Sequence, residues 1–96
     1  MEDRLAKLAG KFPLGQTVAT SGAVAQLTAD DILKGLVRHS AGDWGDVDDE
    51  DKASNEKALV AEGRIVSRYS LASGVPFYII TEWDRSVTTV LLPHEY

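Results

Sequence analysis

The residues with the greatest chemical potential lie in a glycine-punctuated acidic run, Gly42-Asp43-Trp44-Gly45-Asp46-Val47-Asp48-Asp49-Glu50-Asp51. Asp46, Asp48 and Glu50 have the spacing of the first three ligands of an EF-hand loop, which surrounds calcium with oxygen donors. The rest of that loop is wrong. Its sixth position is Asp51 where the sharp turn needs glycine, and its twelfth is Lys57 where a bidentate glutamate belongs. No metal is expected there. Residues 43–51 hold six of the fifteen acids and no base, so the remaining nine acids nearly balance the ten bases and the net charge of −5 is concentrated locally. Carboxylates beside an indole can steer toward a basic groove on a protein partner and anchor in it. On that reading Asp43, Asp46, Asp48, Asp49, Glu50 and Asp51 supply steering and rim contacts, and Trp44 supplies buried area. The competing reading tucks Trp44 into the protein's own core beneath the loop, with the acids capping a helix.

A second constellation is Arg64, Arg68 and Arg85 with Glu82 and Asp84. If these converge at one face or end of a sheet they can bind an anion, as in a small ligand-binding accessory domain or a minor enzyme. The alternative is a set of cross-strand ion pairs, with Asp84 capping a turn. Glu82 and Asp84 are expected near an exposed turn, where no desolvation would separate their pKa values for acid–base work. His39 and His94 lack the paired spacing of a zinc site and read as surface residues. The chain has no cysteine, which excludes disulfides and thiolate chemistry. It also lacks the GxSxG, GxxxxGK[ST] and GxGxxG patterns of acyl, phosphoryl and dinucleotide machinery. No catalytic residue and no cofactor is expected.

The acidic balance argues against direct nucleic-acid binding, which needs a cationic surface to displace counterions. The longest apolar runs are Val75 to Ile80, interrupted by Pro76, and Val90 to Leu92. These fall far short of the roughly 20 residues that cross a bilayer, and Met1 to Lys11 lacks the form of a secretory signal. A cytoplasmic protein is expected.

With 96 residues, 44% of them hydrophobic and 26% charged, residues 1–96 are expected to form a single domain. Leu5, Leu8 and Ala9 mark a short amphipathic helix that Gly10 and Pro13 stop. Gln16 to Thr20 alternates as a strand, and Thr20 or Ser21 caps a helical turn through Ala23, Val24 and Leu27. Thr28, with Asp31 three residues on, predicts a capping box for a helix over Ala29 to His39. Ile32, Leu33, Leu36 and Val37 form its apolar stripe, and Gly35 weakens it by about 1 kcal/mol relative to alanine. Asp48 caps a third helix, Asp49 to Ala61, which Gly63 ends. From Arg64 the period changes to alternation, with strands from Arg64, over Phe77 to Trp83 and over Val87 to Leu92, separated by turns at residues 72–76 and 84–86. The expected fold is α+β: a three- to four-stranded antiparallel sheet, its C-terminal part a meander, with two to three N-terminal helices packed on one face. Such a sheet leaves edge strands to be paired or covered, so a homodimer joined through the sheet is a third option.

From about Leu14 to Tyr96 the chain resembles a family of small bacterial proteins carried on plasmids and other mobile elements, sometimes labelled plasmid-related or type I restriction subunit-like. The resemblance rests on Leu14-Gly15-Gln16-Thr17-Val18-Ala19-Thr20, on Gly42-Asp43-Trp44-Gly45-Asp46-Val47-Asp48, on Asn55, and on Ile80 to Pro93 with Glu95-Tyr96. Trp83 departs from it, standing in place of a small residue, and so does His94, in place of glutamate. The family supplies no catalytic residue. It implies a setting in which small acidic proteins block host defence machinery. The expectation is therefore a non-enzymatic protein that binds another protein, such as a restriction or CRISPR effector, and occupies its basic nucleic-acid channel.

Overall fold

The computed structural model describes residues 10–96, so the helix expected around Leu5, Leu8 and Ala9 lies outside the described residues. The described chain forms β1 (Gln16–Ala19), α1 (Ser21–Gln26), α2 (Ala29–Ser40), α3 (Asp49–Val60), β2 (Ile65–Ser70), β3 (Pro76–Thr81) and β4 (Val87–Leu91), then a 3-10 turn over Pro93–Glu95. Each α-helix starts at a side-chain oxygen that satisfies an orphan backbone N–H. Thr20 Oγ1 accepts from Ala23 at 3.0 Å, Thr28 Oγ1 from Asp31 at 3.0 Å, and Asp48 Oδ1 from Asp51 at 2.8 Å. The expected capping box at Thr28 is only half formed. Asp31 is buried and its carboxylate accepts instead from the Ser73 N–H at 3.3 Å, tying α2 to the β2–β3 turn.

The four strands lie in the order β1-β4-β3-β2. β2, β3 and β4 form the expected antiparallel meander, with Arg68 opposite Tyr78 and Ile80 opposite Thr89. β1 corrects the expectation of a wholly antiparallel sheet, because it runs parallel to β4 with Gln16 opposite Val87 and Ala19 opposite Val90. The cause is topological: three helices and two strands intervene between β1 and β4, and alternation within a strand carries no information about its direction.

α1 and α2 cover one face of the sheet. Ala23, Leu27, Tyr69, Phe77, Ile79, Val90 and Leu92 form the core there, with Ile32 and Leu36 packed against it. The stripe expected on α2 is rotated in the structure. Leu33 and Val37 are 61% and 44% exposed, while Asp31, Gly35 and His39, spaced one turn apart, are buried. Gly35 has a packing reason: a Cβ there would fall 2.8 Å from Phe77 Cε2, so its absence lets the helix approach the sheet.

α3 does not join the other helices on that face. It lies against the outer edge of β2 over a second cluster of Phe12, Trp44, Val47, Ala58 and Ile65. Asn55 donates to the Val66 carbonyl at 2.8 Å and accepts from the Val66 N–H at 3.0 Å, so one side chain does what a neighbouring strand would do. Farther along, the Asp46 N–H donates to the Arg68 carbonyl at 2.7 Å and the Arg68 N–H to the Trp44 carbonyl at 3.1 Å. The β2 edge is thus closed at Val66 and Arg68.

Candidate functional site

The acidic run begins as the connection from α2 to α3. Gly45 has φ 72°, and a Cβ on it would lie 2.0 Å from the Arg68 carbonyl oxygen, so glycine lets this loop press against β2. That contact draws Trp44 inward. The indole is only 5% exposed, its ring centroid 6.2 Å from that of Phe12 and 6.0 Å from that of His39. Its Nε1 donates to Glu56 Oε2 at 2.8 Å. Trp44 therefore holds α3 to the body and is not a surface anchor, which corrects its assignment to the partner-binding set.

The six carboxylates divide. Asp43 accepts from Arg38 Nε at 2.7 Å and Nη2 at 3.2 Å, and from the Gly45 N–H at 3.2 Å. The Arg38 hydrogen bond, more than any other influence, holds the Asp43 carboxyl below the usual range. Asp48 is spent as the α3 N-cap. Both bonds are internal, so neither residue presents an unencumbered charge. Asp46, Asp49, Glu50 and Asp51 are exposed and, among the described residues, enter no ion pair. They gather at the start of α3, where the positive end of the helix dipole favours them.

The arginines divide as well. Arg85 has φ 61°, and its guanidinium donates to the carbonyls of Ala58 at 2.8 Å and Gly63 at 2.7 Å, and to those of Glu82 and Trp83 at 3.1 Å. Its Nη1 and Nη2 are committed to backbone carbonyls around the C-terminal end of α3, a structural role that sets it apart from Arg64 and Arg68. Asp84 has a structural role too. Its Oδ1 accepts from the Ser86 N–H at 3.0 Å, and bonding to the Ser86 side chain and backbone keeps its pKa below the ordinary value. It is the turn cap that the sequence offered as the alternative.

Arg64, Arg68 and Glu82 do share the sheet face opposite α2. Arg64 Nε stands 3.6 Å from Glu82 Oε1, and its guanidinium lies 6.0 Å from the Tyr96 ring centre. Arg68 lies 5.9 Å from the Tyr78 ring centre and, among the described residues, pairs with no carboxylate. The two tyrosine rings meet edge to face at 4.9 Å. Tyr78 and Tyr96 are members of this face that sequence reasoning missed. The only available signal was register, since Arg68 and Tyr78 become neighbours once the β2–β3 turn is placed. Asp51 joins Val66, Tyr78, Pro93 and Tyr96 around one open depression, so the acidic turn adjoins the arginine–tyrosine face.

His39 corrects another expectation, since it is fully buried rather than on the surface. Its Nδ1 lies 2.6 Å from Ser67 Oγ and its Nε2 2.9 Å from Thr81 Oγ1; Thr81 Oγ1 lies 2.7 Å from Thr88 Oγ1, which donates to the Leu14 carbonyl at 2.6 Å. A carbonyl only accepts and each hydroxyl has one proton, so the chain has one direction. Thr88 donates to Leu14, Thr81 to Thr88 and His39 Nε2 to Thr81, which leaves Nδ1 to accept from Ser67. This tautomer is assigned from the network. Burial pushes the His39 pKa down to about 3. Sealed from solvent and fully bonded, the imidazole serves the core.

Among the described residues no three metal-ligating side chains gather, and no helix is long and apolar enough to cross a membrane. No protein-family model matches the chain, and no curated protein or solved structure matches it.

Proposed function

We propose that this protein is a non-enzymatic binder of another protein and that it meets a cationic surface with the acidic turn at the start of α3. One observation carries the reading: Asp46, Asp49, Glu50 and Asp51 stand exposed and, among the described residues, outside any ion pair, on a turn whose other members are fixed. Trp44, Asp43 and Asp48 fix it from within, through the core, Arg38 and the helix cap. A charge cluster held in place loses little freedom on binding and steers encounter with the opposite charge. Duplex DNA carries one charge per roughly 1.7 Å of axis, so four carboxylates fit a local plug in a basic channel and not a long mimic of DNA. The resemblance to mobile-element proteins makes an anti-restriction or anti-CRISPR inhibitor, acting on such a channel in the cytoplasm, the first case to test.

The test compares capture of host proteins by the wild type and by the Asp46→Asn/Asp49→Asn/Glu50→Gln/Asp51→Asn variant. The captured protein should be lost from the variant, should elute from the wild type with salt, and should lose nucleic-acid binding in the complex. Equal capture by both proteins overturns the reading.

A second reading concerns Arg64 and Arg68 as receptors for an anionic ligand, favoured by the absence, among the described residues, of a carboxylate partner for Arg68. Titration with inorganic phosphate, followed by amide shifts, should move Arg68 and Tyr78 and spare α2, on the other face of the sheet. Shifts spread evenly over the surface would count against it.

A further inference from the structure

The two edges of the sheet are unlike. Along β2 the outward backbone groups of Val66 and Arg68 are taken by Asn55, Trp44 and Asp46. Along β1, Gln16 donates to the Ser86 carbonyl and Thr20 to the Val90 carbonyl, both at 3.0 Å. In a parallel ladder alternate residues face the partner, so Thr17 and Ala19 turn their N–H and C=O groups away from β4. Gln16, Thr17 and Val18 are exposed, Val18 at 38%.

Natural edges of this kind are usually blunted with charge, especially lysine. Residues 12–29, which include β1 and α1, contain no charged residue and no histidine, and neither does β4 beside them. Glu95 stands beyond the C-terminal end of β1, where its carboxylate accepts from Thr20 Oγ1 at 2.7 Å and from the Leu92 N–H at 2.8 Å. In a two-fold interface each residue near the axis meets its own copy, so a charge there would repel itself. A chain of net charge −5 can approach a second copy through an edge strand that itself carries no charge.

We propose that a second copy of this chain pairs with β1, antiparallel, about a two-fold axis at Val18. In that register Thr17 of one copy faces Ala19 of the other, and each such pair exchanges two backbone hydrogen bonds. Val18 meets its own mate in the non-hydrogen-bonded site, and the two Glu95 carboxylates lie at opposite ends. The two sheets become one of eight strands.

The test uses the full chain. Sedimentation equilibrium should give twice the chain mass for the wild type and the chain mass for Val18→Lys, which sets two cations on the axis; an unchanged circular dichroism spectrum shows that Val18→Lys has folded. The chain has no cysteine, so Val18→Cys offers one thiol per copy. The non-hydrogen-bonded site brings Cα atoms to about 4.5 Å, within the range a disulfide spans. Oxidation should therefore link Val18→Cys into a dimer, while Val24→Cys, on exposed α1, should not link. A monomeric wild type overturns the proposal, as does a dimer that survives Val18→Lys or one in which Val24→Cys links and Val18→Cys does not.

Discussion

α2 and α3 have the same length and meet the same sheet, but they are attached in different ways. α2 is attached by area, with Ile32 and Leu36 against an aromatic and aliphatic core and Gly35 removing the last obstacle to contact, and by the bonds of buried His39 and Asp31. α3 is polar on nearly every side, with only Asn55 and Ala58 buried. Beyond the contact of Ala58 with the Trp44 cluster, its attachment is directional: Asn55 to the Val66 backbone, Glu56 to the Trp44 indole, and the Ala58 carbonyl in its last turn to Arg85. Burial is non-directional and adapts to altered shape, whereas a hydrogen bond that loses one partner leaves the other unmatched. The two attachments should therefore fail differently.

The largest test is Trp44→Ala, which removes the principal buried side chain beneath α3 and should cost about 3–5 kcal/mol in urea denaturation. Trp44→Phe retains most of the area and loses the bond to Glu56, so about 1 kcal/mol is expected. Equal losses in the two variants would show that the bond, and not the burial, holds α3. Mild acid probes the α2 side. Unfolded His39 takes up a proton near pH 6.5, whereas the folded imidazole resists protonation down to about 3, so stability is full above 6.5 and is lost as pH falls below it. Between pH 7 and pH 5 this loss amounts to about 2 kcal/mol, and it should vanish from the pH profile of His39→Gln.

Asn55→Ala should cost about 1–2 kcal/mol, because both Val66 backbone groups lose their partner. Amide exchange should then quicken at Val66 and within α3 while the amides of α2 keep their protection. Asp48→Ala removes the N-cap of α3 for about 1 kcal/mol, read from the thermal midpoint. The smallest effect belongs to Leu33→Gln and Val37→Gln, expected within about 0.5 kcal/mol because both residues face outward. A larger loss would restore the apolar stripe that periodicity placed there.

The contrast between the helices also sets what could be read in advance. Thr28 and Asp48 announce their helices because a cap acts on a backbone N–H only three residues away. The meander is legible for the same reason, its strands being separated by short turns with their own residue signatures. The parallel direction of β1 depends on a partner far along the chain, which no local pattern encodes. The face of α2 was misjudged because periodicity counts apolar side chains, and here a glycine, a histidine and an aspartate occupy the buried line. The candidate site was half legible. Its carboxylates are where the run of acids put them, but Trp44 was fixed by Gly45 against Arg68, and Arg85 by an unusual backbone angle that turns it onto α3. Both are long-range events for which composition and spacing have no signature.

One amide side chain has a consequence for assembly at large. Endless growth of a β-ribbon requires every unit to offer a receptive border on its left and on its right. Asn55, with Trp44 and Asp46 beside it, already occupies the middle of one border within each molecule. Whatever joins the other finds nothing further to extend, so folded chains meeting edge to edge make a finite object and not a filament.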